Sequence, residues 1–334
     1  MSDATFLGSF FQADPDLRMV AADIHLDPSS PKRLAIVSHA HGDHIEHHDH
    51  FVSTPATASI VRSRLGASLR AIELPFRQPL ELEGHRVELY PAGHVLGSAM
   101  TMIRRDDVSL LYTGDFRLRR SWTTEEAEVP EADALIMEST YGSPDWRFPS
   151  RDELGARLLS LVSDILGSGN VPVLLAYSLG KAQEVCSWLT RHGVRVVVHP
   201  SIARINEIYL KHGVDVGPCE VWTKQAGLFA TATSDLRGAA VVVPPHVDGE
   251  IRRIARRETV SLTGWSLRGG WRTGGDHALP LSDHADFDEL IELVERVRPR
   301  VVYVTHGSAR FAKELRHRGF AAEFLKQKPQ MMLF

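Results

Sequence analysis

The sequence has little cysteine, no long apolar run and no excess of positive charge. Its 334 residues include only two cysteines, Cys186 and Cys219, far apart in unrelated sequence contexts. This scarcity argues against a disulfide framework or a thiolate zinc site and favours a reducing cytoplasm. Apolar runs fall short of the roughly 20 residues that cross a bilayer, and the first residues lack the pattern of a signal peptide. We therefore expect a cytoplasmic protein that does not associate with a membrane.

A formal net charge of −4 also lacks the basic excess that many nucleic-acid-binding proteins carry. Two arginine clusters, at 117–120 and 252–257, are equally consistent with a basic face that binds phosphates and with solvated helix surfaces. The composition, 43% hydrophobic and 24% charged, is that of a globular enzyme rather than a disordered chain. Histidine is plentiful, with 17 residues, many of them in short motifs with acidic side chains. That combination indicates metal binding.

The strongest metal motif directly follows a predicted buried strand. The apolar segment LAIVS at 34–38 runs into HAHGDH at 39–44, so a short strand should end in a loop of ligands. Four ligand-type side chains stand in six positions: His39, His41, Asp43 and His44. Imidazole and carboxylate together suit zinc, with manganese or iron as alternatives. The histidines that follow, His47, His48 and His50, are expected on the surface.

Other predicted strands also end in side chains that bind metal or move a proton. These side chains are His94, Asp115, Glu138 and His306. Strand ends hold such groups rigidly while the adjoining loop gives access to them. We predict two metal ions that share the two oxygens of Asp115. One ion takes His39, His41 and His94, and the other takes Asp43, His44 and His306.

A water between two such ions would be acidified and become the nucleophile. Asp27, just upstream of the motif, is expected to orient a ligand imidazole by accepting its second N–H. Helical spacing of apolar residues predicts helices over 151–166, from Gly180, over FDELIELVERV and over SARFAKELRHRG. Strand alternates with helix after about residue 150, which favours an α/β unit with parallel strands.

The HAHGDH loop, with the distant His94, Asp115 and His306, resembles the signature of the metallo-β-lactamase superfamily. Glu138 in MEST, His284 in SDHAD and His306 in THGS resemble three further motifs of its β-CASP nuclease branch, and AYSLGKAQE resembles that branch's inserted domain. The resemblance implies a metallo-β-lactamase αββα sandwich with an inserted β-CASP cap domain. It assigns residues 1–150 and 276–334 to the sandwich and 151–275 to the cap.

In that branch His284 would be the general acid for the leaving oxygen, held and charged by Glu138. The segment from LTGWSLRGG to ELRHRGF is also similar to bacterial exonucleases associated with ATP-dependent DNA ligases. This implies a DNA exonuclease with two zinc ions that acts in repair or end processing. Digestion of single strands from 5′ to 3′ is the favoured mode, and an ATP-dependent DNA ligase or a helicase is the partner suggested.

Other functions stay open. His306 is shared with ribonucleases of the branch, whereas vertebrate DNA-repair members have valine there, so an RNA-processing nuclease is the main alternative. A small-molecule hydrolase is disfavoured because it needs neither Glu138, His284 nor a cap. A binding protein without activity is disfavoured because it would not need the intact ligand set.

Two segments of the sequence are candidates for substrate contact. Ser178 and Lys181 open a predicted helix whose N-terminus would attract phosphate, although simple capping explains them equally well. Arg268 and Arg272 lie in the glycine-rich GWSLRGGWRTGG and are expected to reach a phosphate.

Overall fold

The computed structural model describes residues 10–13, 16–20, 22–222, 236–268 and 274–325. Within these ranges the chain forms the following strands: β1 (Phe11–Gln12), β2 (Leu17–Met19), β3 (His25–Leu26), β4 (Leu34–Ile36), β5 (His50–Ser53), β6 (Ala71–Glu73), β7 (Leu80–Leu82), β8 (His85–Pro91), β9 (Ala99–Arg105), β10 (Val108–Tyr112), β11 (Ala134–Glu138), β12 (Val171–Leu175), β13 (Arg195–Val198), β14 (Cys219–Val221), β15 (Ala239–Val243), β16 (Arg257–Leu262), β17 (His277–Leu279), β18 (Val301–Thr305) and β19 (Ala322–Phe324).

The helices of the same ranges are α1 (Pro55–Leu65), α2 (Arg151–Gly167), α3 (Lys181–Arg191), α4 (Pro200–Lys211), α5 (Asp248–Ile251), α6 (Phe287–Val297) and α7 (Ala309–His317). The helices predicted at 151–166, after Gly180, and in the two C-terminal segments are therefore present. Acidic first turns and capping boxes at Ser150 and Asp286 define where α2 and α6 begin. Among the described residues, no helix has the length and apolarity that a bilayer crossing needs.

The chain divides into two compact units. The first unit combines Met1–Arg120, Thr124–Arg147 and His284–Leu333, and the inserted unit combines Ser121–Thr123 with Phe148–Asp283. The inserted unit is thus slightly longer at both ends than the predicted cap of 151–275.

The first unit is an αββα sandwich. One sheet has the order β1-β2-β3-β4-β5-β6, and the other has the order β19-β18-β11-β10-β9-β8-β7. An apolar core that includes Ile36, Val52, Leu110 and Ile136 lies between the two sheets. The outer face of the second sheet packs on α6 and α7, whose buried residues include Leu290, and α1 contacts β6 of the first sheet. This is the fold class that the sequence predicted.

The inserted unit is an α/β domain with a fully parallel sheet. Its strands have the order β14-β13-β15-β12-β16-β17. Near-continuous apolar strands such as Ala239–Val243, with every residue buried, are typical of parallel sheets covered on both faces. The predicted parallel arrangement is confirmed.

The two cysteines, which seemed unrelated in the sequence, are neighbours in the inserted unit. Both are free thiols, Cys186 on α3 and Cys219 at the start of β14. A hydrogen bond with Cys219, together with burial, raises the pKa of the Cys186 thiol well above its ordinary value. Distance along the chain was therefore a poor guide to their environments.

Candidate active site

The HAHGDH loop gathers three imidazoles at the end of β4. Residues Ser38 to Ala40 are buried, and a turn then brings the backbone N–H of His44 within 3.1 Å of the carbonyl oxygen of His41. The ring centroid of His39 consequently lies 4.9 Å from that of His41 and 4.1 Å from that of His44. The strand fixes the first imidazole and the turn folds the other two towards it.

His94 and Asp115 enter this group from the second sheet. His94 follows β8, and its Nε2 lies 3.0 Å from His41 Nδ1. Asp115 follows β10, and its Oδ2 lies 3.5 Å from Nε2 of both His39 and His44 and 3.8 Å from Nε2 of His94. The carboxylate of Asp115 therefore faces three imidazoles, two from the HAHGDH loop and one from the loop after β8.

The arrangement fits a metal ion. One ligand atom from each of His39, His41, His94 and Asp115 lies within 4.8 Å of the others. His39 Nε2 and Asp115 Oδ1 are buried without a hydrogen-bond partner among the described residues. Buried polar atoms are costly when unpaired, and a cation between them would satisfy both. Nitrogen and oxygen donors of this kind suit zinc.

Asp43 and His306 lie at the margin of the group, on the side of His44. Asp43 is one-quarter exposed, with Oδ2 3.9 Å from His44 Nε2. The ring of His306 is 6.0 Å from that of His44. Neither belongs to the four-residue group. The structure therefore places the ligands predicted for the first ion close together, and those predicted for the second ion farther apart.

Asp27 lies where it can orient an imidazole. Its Oδ2 is 2.9 Å from His44 Nδ1, which leaves His44 Nε2 directed towards Asp115. The backbone of Asp27 has a φ of 41°, in the left-handed region that aspartate tolerates better than most residues.

Glu138 and His284 form a hydrogen-bonded pair beside the metal group. Both carboxylate oxygens of Glu138, the last residue of β11, contact His284 Nδ1, at 3.0 and 3.1 Å. The other ring nitrogen, Nε2, lies 3.8 Å from Asp115 Oδ2. The carboxylate is almost fully buried, whereas about one-fifth of the imidazole is exposed. This geometry holds Nδ1 and directs Nε2 towards Asp115 in the metal group.

The electrostatics of the site separate its histidines. Burial lowers the pKa of His39 and of His306, so both are held as neutral imidazoles, the form that binds metal. Burial also acts on His44, but attraction to Asp115 and Asp27 outweighs it and raises the pKa of His44 well above its ordinary value. Although burial disfavours an ionised carboxyl, the charges of His44 and His284 hold the pKa of Asp115 well below its usual range.

Three of the predicted substrate contacts, Ser178, Lys181 and Arg268, lie in the inserted unit. Lys181 is buried, and its ammonium forms an ion pair with Asp283 Oδ1 at 2.9 Å. Phosphate binding by Lys181 stays a prediction. Ser178 Oγ lies 3.1 Å from Ser201 Oγ. Arg268 is exposed. Arg272 lies outside the described residues.

One expected surface residue is buried. His48 is only 3% exposed, and its Nδ1 accepts a hydrogen bond from the backbone N–H of Lys32 at 3.2 Å. His47, in contrast, is well exposed. The prediction was wrong for His48 because the chain at 48–50 is hydrogen-bonded to Lys32 and Arg33 where β5 begins.

Sequence reasoning missed the hydroxyl groups that hold the predicted residues. Thr140 Oγ1 donates to Glu138 Oε2 at 2.5 Å, and Thr305 Oγ1 lies 3.1 Å from His306 Nδ1. Ser38 and Tyr112 contact Asp27 in the same way. Each stands within two residues of a predicted site residue or at a strand end, but a hydroxyl in such a place carries no sequence signal of its own.

Comparison with known proteins gives one family match and several relatives. The family described as "Zn-dependent metallo-hydrolase RNA specificity domain" (RMMBL) matches residues 277–324. A "Probable DNA ligase" from Opitutus terrae is 37% identical over 315 residues, which cover 92% of this chain and 30% of the relative. "Cleavage and polyadenylation specificity factor 73" from Drosophila melanogaster is 26% identical over 294 residues, covering 73% of this chain and 43% of the relative.

The chain thus spans less than half the length of these two curated relatives. A crystal structure of a protein of unknown function from Enterococcus faecalis V583 matches with a TM-score of 0.61 at 15% identity. The match covers 89% of this chain and 80% of the other. At that identity the similarity supports the fold alone.

Proposed function

Because the chain belongs to the metallo-β-lactamase superfamily, in its β-CASP nuclease branch, we propose that it is a two-zinc exonuclease acting on DNA. The observation that carries this proposal is the hydrogen-bonded pair Glu138–His284 beside the His39, His41, His94 and Asp115 group. Metal ligands alone would suit many hydrolases. A buried carboxylate that holds an imidazole next to them suits a reaction with a poor leaving group.

The ligand set proposed for one ion is His39, His41, His94 and Asp115, and for the other Asp43, His44, His306 and the same Asp115. Zinc held there would supply Lewis-acid polarisation of a phosphate and a water acidified towards neutral pH. Hydrolysis also requires a proton on the departing oxygen. His284 supplies it from Nε2, because Nδ1 is occupied by Glu138 and Nε2 points into the site.

Glu138 acts on this step through His284. Its two oxygens fix the ring orientation, and its charge stabilises the imidazolium that donates the proton. Thr140 and the backbone N–H of Phe116 hold the carboxylate in turn, at 2.5 and 3.1 Å. The proton donor is therefore positioned before substrate arrives.

Support for DNA as the substrate comes from the Opitutus terrae relative. Its similarity extends over 92% of this chain, and its name is that of a DNA ligase. A nuclease that trims ends before joining would be a natural companion of such an activity. We therefore propose a role in DNA repair or end processing, in concert with a DNA ligase.

An RNA-processing nuclease is the second candidate. It is favoured by the RNA-specificity description of the family matched at 277–324, a segment that includes His284 and His306. The Drosophila melanogaster relative, a cleavage and polyadenylation factor, points in the same direction.

The test compares the two polynucleotides directly. Zinc-loaded protein is incubated with 5′-labelled single-stranded DNA and with RNA of the same sequence, beside an Asp43→Ala/His44→Ala variant. Release of nucleotides from DNA, slow on RNA and absent in the variant, supports the proposal. Faster cleavage of RNA replaces it with the second candidate, and a ladder of internal cuts contradicts exonucleolytic action. Cleavage of neither polymer by the zinc-loaded protein would refute both.

A further inference from the structure

The carboxylate of Asp27 is surrounded by donors, two of which have no role in the metal centre described above. Its Oδ1 accepts the backbone N–H of Ser38 at 2.7 Å. Its Oδ2 contacts three side chains: Ser38 Oγ at 2.5 Å, His44 Nδ1 at 2.9 Å and Tyr112 Oη at 2.9 Å. The side chain of Asp27 is 3% exposed, so these partners replace solvent.

The carboxylate of Asp27 sets the direction of the hydrogen bonds that it makes with these side chains. An ionised carboxylate has no proton to donate, so Ser38 Oγ, His44 Nδ1 and Tyr112 Oη must all donate to it. Ser38 has a single hydroxyl proton, and the contact with Asp27 uses it. Towards His39 Nδ1, 3.0 Å away, the same oxygen can only accept.

The proton of His39 is therefore held on Nδ1, and its Nε2 keeps a lone pair. That Nε2 lies 3.5 Å from Asp115 Oδ2 and has no hydrogen-bond partner among the residues of the described ranges. The direct bond to Asp27 likewise keeps a proton on Nδ1 of His44, so Nε2 is the nitrogen that gives up its proton when His44 binds metal. One carboxylate thus holds the Nδ1 proton of two imidazoles, one from each proposed ligand set.

Tyr112 fixes the carboxylate itself. It is the last residue of β10, two positions before Gly114, and its hydroxyl reaches Asp27 across 85 residues of sequence. Burial and the charge of Asp27 raise the pKa of Tyr112 well above its ordinary value, so the phenol remains a donor. The strand that presents Asp115 also supplies the brace for Asp27.

We propose that Tyr112 and Ser38 are positioning residues of the metal centre, which act through Asp27 to keep the Nδ1 proton on His39 and on His44. This inference rests on the metal centre of the proposed function and not on its substrate. Partners that orient metal-binding histidines typically change metal affinity by about 10- to 100-fold.

The experiment measures zinc affinity by competition with a chelator for the natural protein, Tyr112→Phe, Ser38→Ala and a control, Tyr303→Phe. Tyr303 is fully buried in the same core on the neighbouring part of the sheet, where its ring packs on Phe11. The control loses the same phenolic hydroxyl from the same layer. We expect Tyr112→Phe and Ser38→Ala to bind zinc about 10- to 100-fold more weakly and the control to bind as the natural protein does.

Loss of folding is separated from loss of positioning by two further measurements on the metal-free proteins. Thermal midpoints show whether a variant is folded, and imidazole ¹⁵N shifts report which ring nitrogen carries the proton. We expect Ser38→Ala to move His39 from the pure Nδ1–H tautomer to a mixture.

Zinc affinity of Tyr112→Phe equal to that of Tyr303→Phe would overturn the proposal, as would unchanged tautomers in Ser38→Ala. Neither readout uses nuclease activity. A protein that binds zinc as expected but cuts no polynucleotide would therefore refute the proposed function and leave this inference standing.

Discussion

Glu138→Gln is the most informative single change, because every group around this side chain donates to it. Its Oε1 accepts from the backbone N–H of Phe116 at 3.1 Å and from His284 Nδ1 at 3.0 Å. Its Oε2 accepts from the backbone N–H of Thr140 at 3.4 Å, from Thr140 Oγ1 at 2.5 Å and from His284 at 3.1 Å. A glutamine has the same shape but replaces one acceptor with a donor.

Neither orientation of the amide satisfies this environment. With the NH₂ group at the Oε1 position, this donor faces two other donors, the backbone N–H of Phe116 and the Nδ1–H of His284. With the NH₂ group at the Oε2 position the hydroxyl of Thr140 can rotate to accept, but the Thr140 N–H faces another donor. A buried N–H left unpaired costs about 1–3 kcal/mol, which is the expected loss in the free energy of unfolding.

The loss in rate has a separate origin. Hydrogen bonds to a charged partner are about twice as strong as neutral ones, which corresponds to roughly 1.4 kcal/mol for the His284 contact. If that difference is expressed in the transition state, kcat falls about 10-fold for each 1.36 kcal/mol. We therefore expect kcat to fall at least about 10-fold while the zinc content stays unchanged.

The assay compares kcat on labelled single-stranded DNA, bound zinc and urea unfolding for Glu138→Gln and a matched control, Glu289→Gln. Glu289 is also a buried glutamate that accepts three backbone N–H groups: those of Leu118 and Arg119, at 2.8 and 2.6 Å, and that of Asp286, at 3.0 Å. The control should lose stability but retain kcat. Equal losses of kcat in both variants, or full kcat in folded, zinc-loaded Glu138→Gln, would refute this account of the pair.

Three further predictions concern stability. Burial lowers the pKa of His48 below its ordinary value of 6.5, so its contribution to stability is present above that value and is lost as pH falls through the lower folded-state pKa. The thermal midpoint should accordingly fall less between about pH 8 and about pH 5 in His48→Gln than in the natural protein, and parallel curves would contradict this. Gly114 has a φ of 53°, and a Cβ there would collide with the side chain of Ser38. Gly114→Ala should lose about 2–5 kcal/mol in urea unfolding, from about 1–2 kcal/mol of left-handed strain and about 1–3 kcal/mol of overpacking. Gly84→Ala, with nothing within 4 Å of its Cβ, should lose only the strain. Removal of metal by a chelator should lower the thermal midpoint, and added zinc should restore it, since a ligand at about 100 times its Kd stabilises by about 2.7 kcal/mol; a midpoint indifferent to both would argue against a metal centre in the folded protein.

Local sequence determined the elements and the kind of chemistry. The apolar run at 34–38 and the ligands that follow it are contiguous, so strand and metal loop could be predicted together. Helices such as α6 carry their own capping residues and apolar periodicity, which depend on neighbours three or four positions away. The alternation of strand and helix after residue 150 is also a local pattern, and it was enough to predict a parallel sheet.

The tertiary structure decided which of these residues act on one another. Glu138 meets His284 across 146 positions, and the parallel register of β11 on β18 sets Glu138 opposite Thr305 and so next to His306. The tertiary structure also decided that Lys181 is paired with Asp283, that His48 is buried and that Tyr112 contacts Asp27. Hydrophobic periodicity reports which face of an element is buried, but strand register and packing choose its partners, and the properties of a polar side chain depend on those partners.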